Sequence, residues 1–151
     1  LEGVVLSVAR SRSKRNKIAE KVNIISSERI KQSVIQSGAD ILELSPGVRI
    51  QKSQGGGGSP VLRGFEANRV LLVIDGVRMN NAIYRSGHLQ NAITIAPHNL
   101  ERVEVIFGPS SVGYGSDALG GVIHYYTKTP DINGSEKNKN EFHSDYNSAN
   151  L

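Results

Sequence analysis

The side chains best suited to bind a ligand lie in a long stretch without clear periodicity, residues 79–96. There Tyr84-Arg85-Ser86-Gly87-His88-Leu89 brings a phenol, a guanidinium and an imidazole close together along the chain. A neutral imidazole is a good metal ligand, and the phenol of Tyr84 could provide a second ligand. Long loops inside compact domains are often functional. A single loop histidine is more often a solvated or hydrogen-bonded side chain, so this second interpretation of His88 stays open.

The sequence contains no residue pattern typical of an enzyme. Ser110, Asp117 and His124 have suitable side chains for nucleophilic catalysis, but the surrounding Gly-Pro-Ser-Ser lacks the nucleophile-elbow pattern. The glycine run 55–58 is not followed by Lys-Ser or Lys-Thr, which excludes a phosphate-binding loop. We therefore predict that the chain is not an enzyme, with no catalytic residues and no certain metal ligands. A structural role within a strand is the better prediction for His124.

The four consecutive glycines, Gly55 to Gly58, have two interpretations. A backbone without side chains can approach a ligand or a neighbouring wall closely, and Gly56 and Gly57 are then candidate binding residues. A flexible loop is the more common meaning of such a run, and it is the interpretation that we favour.

Length and composition indicate one globular domain. The chain has 151 residues, of which 38% are hydrophobic, enough to bury one core. No apolar run reaches the roughly 18 residues of a membrane-spanning helix. No signal-peptide pattern opens the chain, so we expect a mature or excised fragment. The absence of cysteine excludes a disulfide framework and thiolate metal sites.

The net charge of +4 raises the question of nucleic-acid binding, but the distribution of charge argues against it. Many basic residues lie in two polar segments, 10–17 and 137–139, which are more typical of solvated tails. Only 5% of the residues are aromatic, and no base-stacking platform or nucleic-acid motif is present. We predict that nucleic acid is not a partner.

Two short helices are predicted in the first third of the chain. Ser26 or Ser27 is a suitable N-cap for a helix that begins at Glu28. The apolar positions with helical spacing in it are Ile30, Val34 and Ile35. The second helix, residues 40–44, ends before Ser45-Pro46-Gly47, because Pro and Gly do not continue a helix.

Most of the remaining regular structure is predicted to be strand. Val70 to Ile74 is a continuous apolar run, which predicts a buried central strand, and Asp75-Gly76 closes it with a turn. A further short strand is predicted at residues 22–25.

The densest pattern is the segment from Leu100 to Lys128. Apolar and polar residues largely alternate from Arg102 to Phe107, which predicts a strand with one clearly buried face. Gly108-Pro109 ends this strand, because Pro lacks the amide that a sheet ladder needs. Gly120-Gly121 opens a second strand, Val122 to Thr127, rich in β-branched and aromatic residues. Two strands joined so closely are expected to pack in one small domain.

This segment resembles the closing signature of the plug domain of TonB-dependent outer-membrane receptors. In that family an acidic-flanked strand leads to Gly-Pro-Ser, Tyr-Gly and Ala-x-Gly-Gly, and then to a strand ending in Thr-Lys; every piece is present here. The resemblance implies an α+β fold, a small mixed β-sheet of about four strands with short flanking helices and long loops. It also implies strands at residues 48–50 and 60–64. The residues that match the family's motifs, and are implied to be structural, are Arg63, Gly64, Asp75, Gly76, Glu104, Gly108, Pro109, Ser110, Tyr114, Gly115, Gly120 and Gly121.

The resemblance implies gating rather than chemistry. In the family the plug occludes an outer-membrane β-barrel of about 22 strands, which this sequence does not contain. Outward loops of the plug help to bind a scarce nutrient such as a ferric siderophore, haem, cobalamin or a glycan. The implied partners are the barrel of the same receptor, TonB and a small nutrient, and the implied location is the barrel lumen, facing the periplasm. A free-standing soluble module that captures haem or an iron chelate is the alternative.

The resemblance also singles out binding residues. Haem-transporting members carry Gly-His-Leu shortly after an Asp-Gly-x-Arg turn, and Gly87-His88-Leu89 follows such a turn here, although after a longer gap. His88 is then a candidate axial ligand, with Tyr84 or Arg85 as a second ligand or as a partner for a propionate. Haem enters this prediction only as a transported ligand, and no resident cofactor is predicted with certainty.

A short extended segment at the amino end of such plugs pairs with TonB by strand addition. Glu2, Val4, Val5 and Leu6 lie in roughly the right place, in an apolar, extended stretch. The stretch is also compatible with the strand just after the coupling segment, which we slightly favour, or with an ordinary edge strand.

The resemblance covers about residues 7–130. We predict an amino-terminal extended segment and basic hinge (1–17), the plug domain (18–130), and a linker with the truncated start of a β-barrel (131–151). The charged residues expected to pair within the plug or with the barrel are Arg63, Arg78, Arg102, Glu101, Glu104 and Asp117.

Overall fold

A computed structural model describes residues 4–5, 13–14, 21–33, 35, 37–52, 58–66, 69–79, 92, 94–108, 114–115, 118–130, 142 and 144. Within them the chain forms β1 (Val4–Val5), β2 (Ser13–Lys14), β3 (Lys21–Ser26), α1 (Ser27–Lys31), α2 (Asp40–Glu43), β4 (Val48–Gln51), β5 (Ser59–Leu62), β6 (Val70–Ile74), β7 (Val77–Arg78), a 3-10 helix (Pro97–Asn99), β8 (Leu100–Phe107) and β9 (Gly121–Thr127). Short strands with few short helices confirm the predicted α+β class.

Five strands form the main sheet, in the order β3-β8-β9-β6-β7. β8 is antiparallel to both β3 and β9, whereas β6 is parallel to β9 and antiparallel to β7. The sheet is mixed, as predicted, and the two-residue β7 is an additional strand at its edge. Two other pairs, β1 with β2 and β4 with β5, form small antiparallel sheets of their own. β8 and β9 pair directly, as their short link predicts.

Local interactions determine where α1 begins and ends. The Ser26 hydroxyl caps α1 by accepting a hydrogen bond from the Arg29 amide at 3.4 Å. The expected continuation of this helix through Ile35 is wrong. The Ser33 hydroxyl donates to the Arg29 carbonyl at 2.9 Å, the acceptor that the Ser33 amide would need in a longer helix.

In the described part of the chain, no helix has the length and apolar character required to cross a membrane.

Apolar side chains pack against both faces of the main sheet. One face carries the larger core, in which β8 and β9 contact α2 and β5. Its members include Val105, Phe107, Ile123, Tyr125, Ile41, Leu42 and Leu62. The second face carries Val22, Leu71, Val73, Ile106 and Val122, covered by Tyr114 and Ala118 from the link between β8 and β9. Only one clearly buried face was predicted for β8, but its second face is also buried because this link folds over it.

Candidate functional site

The turn between β6 and β7 is hydrogen-bonded to the end of β9. Asp75 and Gly76 have positive φ angles of 46° and 87°, as a two-residue hairpin turn of the Asp-Gly type requires. The Asp75 carboxylate accepts hydrogen bonds from the Thr127 amide at 2.9 Å and from the Thr127 hydroxyl at 2.7 Å. The Asp75 amide donates to the Tyr125 carbonyl at 3.0 Å. The predicted turn is therefore confirmed, and it also joins the hairpin to β9.

His124 forms the second part of this joint. Its Nε2 atom accepts a hydrogen bond from the Gly76 amide at 3.1 Å. Its ring stacks on Tyr126, with the two centroids 4.1 Å apart and the planes inclined by 18°. Tyr114 approaches the same ring edge-on at a centroid distance of 6.5 Å. These contacts give His124 the structural role that its position in a strand predicted.

Burial decides the protonation state of His124. Only 6% of the residue is exposed, and this burial lowers the pKa of the imidazole from 6.5 to about 4, although Glu104 and Asp75 act in the opposite direction. The ring is therefore neutral at pH 7. Because Nε2 accepts a hydrogen bond, the proton must lie on Nδ1. Nδ1 has no hydrogen-bond partner among the described residues.

A charged pair lies beside these rings on the second face of the sheet. Glu104 is fully buried, and Arg102 donates to it from Nε at 2.9 Å. The Arg102 guanidinium carbon also lies 3.9 Å from the centroid of the Tyr126 ring. Across the strands, Arg102 faces Tyr126 and Glu104 faces His124. We call these four residues, Arg102, Glu104, His124 and Tyr126, the polar block.

The expected charge pairs are confirmed for Arg102, which also lies 3.3 Å from the Glu101 carboxylate. Arg78 instead donates through its guanidinium to the Tyr114 carbonyl. The Arg63 guanidinium carbon lies 4.9 Å from the Phe107 ring centroid. No carboxylate in the described ranges lies within ion-pair distance of Arg63 or Arg78.

The glycines of the closing signature allow close packing around these contacts. A Cβ atom on Gly115, where φ is 108°, would lie 3.1 Å from the Arg78 guanidinium. A Cβ atom on Gly121, where φ is 148°, would lie 2.4 Å from the Ile106 carbonyl oxygen. The Tyr-Gly and Gly-Gly motifs thus leave room for an arginine and for the neighbouring strand.

All five residues predicted to bind a nutrient, Tyr84, Arg85, His88, Gly56 and Gly57, lie outside the described residues, and so do Glu2, Leu6, Pro109, Ser110 and Asp117. Val4 and Val5 form β1 and pair with Ser13 and Lys14, which belong to the predicted hinge. No group of three or more His, Asp or Glu side chains within the described ranges is arranged to hold a metal ion.

The structure does describe both ends of the segment that contains His88. Before it, the Met79 amide donates to the Leu72 carbonyl at 2.9 Å. After it, Ala92 is fully buried, and a Cβ atom on Gly38 would lie 2.4 Å from the Ala92 carbonyl oxygen. Met79 and Ala92, the described residues on either side of this segment, therefore both contact the packed domain.

The mixed sheet, its Asp-Gly hairpin and its glycine-rich closing strand pair are the features that the plug resemblance implied. Residues 14–122 match the profile of the TonB-dependent Receptor Plug Domain. The chain belongs to this family of TonB-dependent receptor plug domains, which confirms the resemblance seen in its motifs.

Two vitamin B12 transporters named BtuB, from Vibrio vulnificus, are similar in sequence. The protein of strain CMCP6 is 37% identical over 126 residues, and that of strain YJ016 is 35% identical over 127 residues. Each match covers 82% of this chain and 20% of the transporter. The chain thus spans about a fifth of the length of these relatives.

Solved receptor structures share the fold. A mutant of the ferric enterobactin receptor PfeA from Pseudomonas aeruginosa, in complex with enterobactin, is 27% identical with a TM-score of 0.61, covering 74% of this chain and 18% of that one. The siderophore receptor PirA from Acinetobacter baumannii is 25% identical with a TM-score of 0.59, covering 72% and 17%. A complex of FpvAI with pyocin S2 has a TM-score of 0.67 at 18% identity, covering 85% and 16%, and shows likeness of fold alone.

Proposed function

We propose that the chain is the gating plug of a TonB-dependent nutrient receptor, which occludes the receptor's β-barrel, contributes to nutrient binding and couples uptake to TonB. The observation that carries the proposal is the family match over residues 14–122, with a sheet of the same fold as siderophore receptors. The relatives are named for vitamin B12 or for siderophores. The nutrient proposed here is of the same general kind, a metal chelate such as a ferric siderophore, haem or a corrinoid.

The proposed architecture places the plug at residues 18–130, inside the lumen of an outer-membrane barrel and facing the periplasm. Residues 1–17 form the extended segment and hinge, and residues 131–151 lead into the barrel. Tyr84, Arg85 and His88 are the proposed nutrient-binding residues of the segment between Met79 and Ala92, with Gly56 and Gly57 in a second loop. The proposed coupling residues are Glu2, Val4, Val5 and Leu6.

A chimeric receptor tests the gating function. The plug of the Vibrio vulnificus vitamin B12 transporter would be replaced by residues 1–130 of this chain, in cells that lack their own transporter. We expect a closed barrel that excludes large antibiotics, whereas the same barrel without any plug admits them. Cobalamin uptake, if it occurs, must require TonB. A chimera as permeable as the empty barrel, at equal expression, would contradict the proposal.

Titration of the purified 151-residue chain with haem, followed by the Soret band, tests the proposed nutrient-binding residues. If haem is the nutrient, we expect saturable binding that His88→Ala abolishes and that His98→Ala, a change at an exposed histidine, preserves. Binding that is unaffected by His88→Ala would remove His88 from the site. High affinity without any barrel would favour the free-standing capture module over the plug.

A further inference from the structure

The joint between the Asp75-Gly76 turn and β9 consists of four hydrogen bonds within the described residues. One joins backbone to backbone, from the Asp75 amide to Tyr125. Two depend on the Asp75 carboxylate, which Thr127 contacts at 2.9 and 2.7 Å. The fourth joins the Gly76 amide to Nε2 of His124 at 3.1 Å. Only this fourth bond uses an imidazole as its acceptor.

The position of β7 depends on this joint, because β7 has only two residues and pairs with β6 alone. Val77 is 67% exposed, so burial of its own side chain does little to hold the strand. Besides its pairing with β6, β7 is held by the bond from Arg78 to the Tyr114 carbonyl and, at its end, by the bond from the Met79 amide to the Leu72 carbonyl. Loss of the His124 bond would therefore first destabilise the turn and β7.

We propose that His124 is the positioning residue of the β6–β7 turn, and that protonation of its ring releases the Gly76 amide and loosens β7 while the rest of the sheet stays folded. The chemical basis is simple: Nε2 accepts a hydrogen bond only when it carries no proton. A protonated ring presents N–H groups on both nitrogens, and Nε2–H would then point at another donor. The inference concerns this domain alone and holds whether or not the chain gates a receptor.

The groups around the ring set the conditions for this release. Glu104 on β8 and Asp75 in the turn favour the charged ring, whereas Arg102 on β8 opposes it. From β6 the residue opposite His124 is Val73, which carries no charge. Among the described residues, the other titratable side chains in contact with the ring are Tyr126 and Tyr114. Burial disfavours the charged form of the His124 ring. The ring is therefore protonated, and the Gly76 amide released, at acidic pH.

Nuclear magnetic resonance of the full 151-residue chain tests the proposal directly. At pH 7 the nitrogen shifts of His124 should identify the neutral Nδ1–H tautomer. On acidification, hydrogen-exchange protection of the Gly76 amide, corrected for its intrinsic rate, should fall at least about tenfold as the ring titrates. Protection of the Ile123 amide, in the centre of the sheet, should stay constant over the same range.

Two matched variants separate the acceptor from the ring. His124→Gln places an amide oxygen near the position of Nε2 but does not titrate, so Gly76 should stay protected at both neutral and acidic pH. His124→Phe keeps a ring to stack on Tyr126 but has no acceptor, so Gly76 should exchange rapidly at every pH. If His124→Phe does not fold, the wild-type profile and the glutamine variant still decide.

Three outcomes would overturn the proposal. The first is an Nε2–H tautomer at pH 7, and the second is unchanged Gly76 protection in folded His124→Phe. The third concerns Asp75, the other titratable group of the joint. If Asp75→Asn abolishes the acid response of Gly76 while His124 still titrates, the carboxylate rather than the imidazole is the sensor.

Discussion

The neutral state of His124 makes the stability of the domain depend on pH. The pKa of this imidazole is about 4 in the folded chain, below the ordinary value of 6.5. Between these two values the unfolded chain binds a proton that the folded chain does not, so stability decreases as the pH falls through this window. Above pH 6.5 the ring is neutral in both states, and the contribution no longer changes.

We therefore predict that acidification from neutral pH to about pH 4 costs the domain about 3 kcal/mol at this single residue. Urea unfolding of wild type and of His124→Gln at several pH values gives the free energy of unfolding as a function of pH. The slope of this function between about pH 4 and pH 6.5 should be steeper for wild type than for His124→Gln. His98→Gln is the control, because His98 is exposed. Equal pH dependence in wild type and His124→Gln would show that another group is responsible.

Two glycines of the family motifs should respond differently to alanine. At Gly121 a Cβ atom would meet both the Ile106 carbonyl oxygen at 2.4 Å and a Leu62 methyl carbon at 2.8 Å. At Gly64, where φ is 89°, a Cβ atom would meet nothing within 4 Å. We expect Gly121→Ala to lower the free energy of unfolding by more than about 3 kcal/mol and Gly64→Ala by about 1 kcal/mol. Similar thermal midpoints for the two variants would refute the steric argument.

At the scale of elements, the sequence predicted those that depend on neighbouring residues. The apolar run 70–74 is β6 as expected, and the Asp75-Gly76 turn follows it. The helix predicted from Glu28 is present but shorter, because Ser33 competes for a helical carbonyl. α2 ends at Glu43, one residue before its expected limit, and Pro46 and Gly47 follow shortly after it.

Contacts between distant parts of the chain were not predicted. The Gly76–His124 bond spans 48 positions and the Arg78–Tyr114 bond spans 36. Such contacts follow from strand order and register, which no local pattern encodes. Arg102 and Glu104 were likewise expected on a less buried face, yet Glu104 is fully buried, beside Arg102 and opposite His124. The predicted nutrient-binding residues lie outside the described residues, so that part of the site stays a prediction.

The polar block provides a test at the level of the β8–β9 pair. Arg102→Met removes the guanidinium that lies 2.9 Å from the fully buried Glu104 carboxylate. We expect a loss of about 3 kcal/mol, because a buried carboxylate without its cation is strongly unfavourable. The variant with both Arg102→Met and Glu104→Leu should lose less than the sum of the two single changes. A double-mutant cycle from urea unfolding that gives no coupling would contradict this assignment.

At the scale of the whole molecule, four strands contribute to two cores at once. β3, β6, β8 and β9 contribute side chains to the larger core on one face and to the smaller cluster on the other. Neither core can therefore come apart without disturbing strands that the other requires. The family match and the solved receptor structures agree with this sheet, and the motif-based prediction of the fold is confirmed at this scale.

We accordingly predict a single cooperative unfolding transition for the isolated chain. Tyr125 reports on the larger core, and Tyr114 on the smaller one. Tyr125→Phe removes the reporter in the larger core, and Tyr114→Phe removes the one in the smaller core. For each variant, the urea midpoint from tyrosine fluorescence should agree with the midpoint from circular dichroism. Separate transitions for the two reporters would mean that the two cores unfold independently.

The strand order also determines when the domain can acquire its sheet during synthesis. β8 and β9 occupy the middle of the sheet but are the last of its strands along the chain. Until they emerge, β3 has no partner in this sheet, and β6 has only the two-residue β7. In a nascent chain the apolar run of β6 therefore has one edge unpaired until β9 has been made, a state in which a strand edge is prone to aggregate. The strand order thus sets how long this edge stays exposed, because the segment between β6 and β9 must be made before the edge is covered.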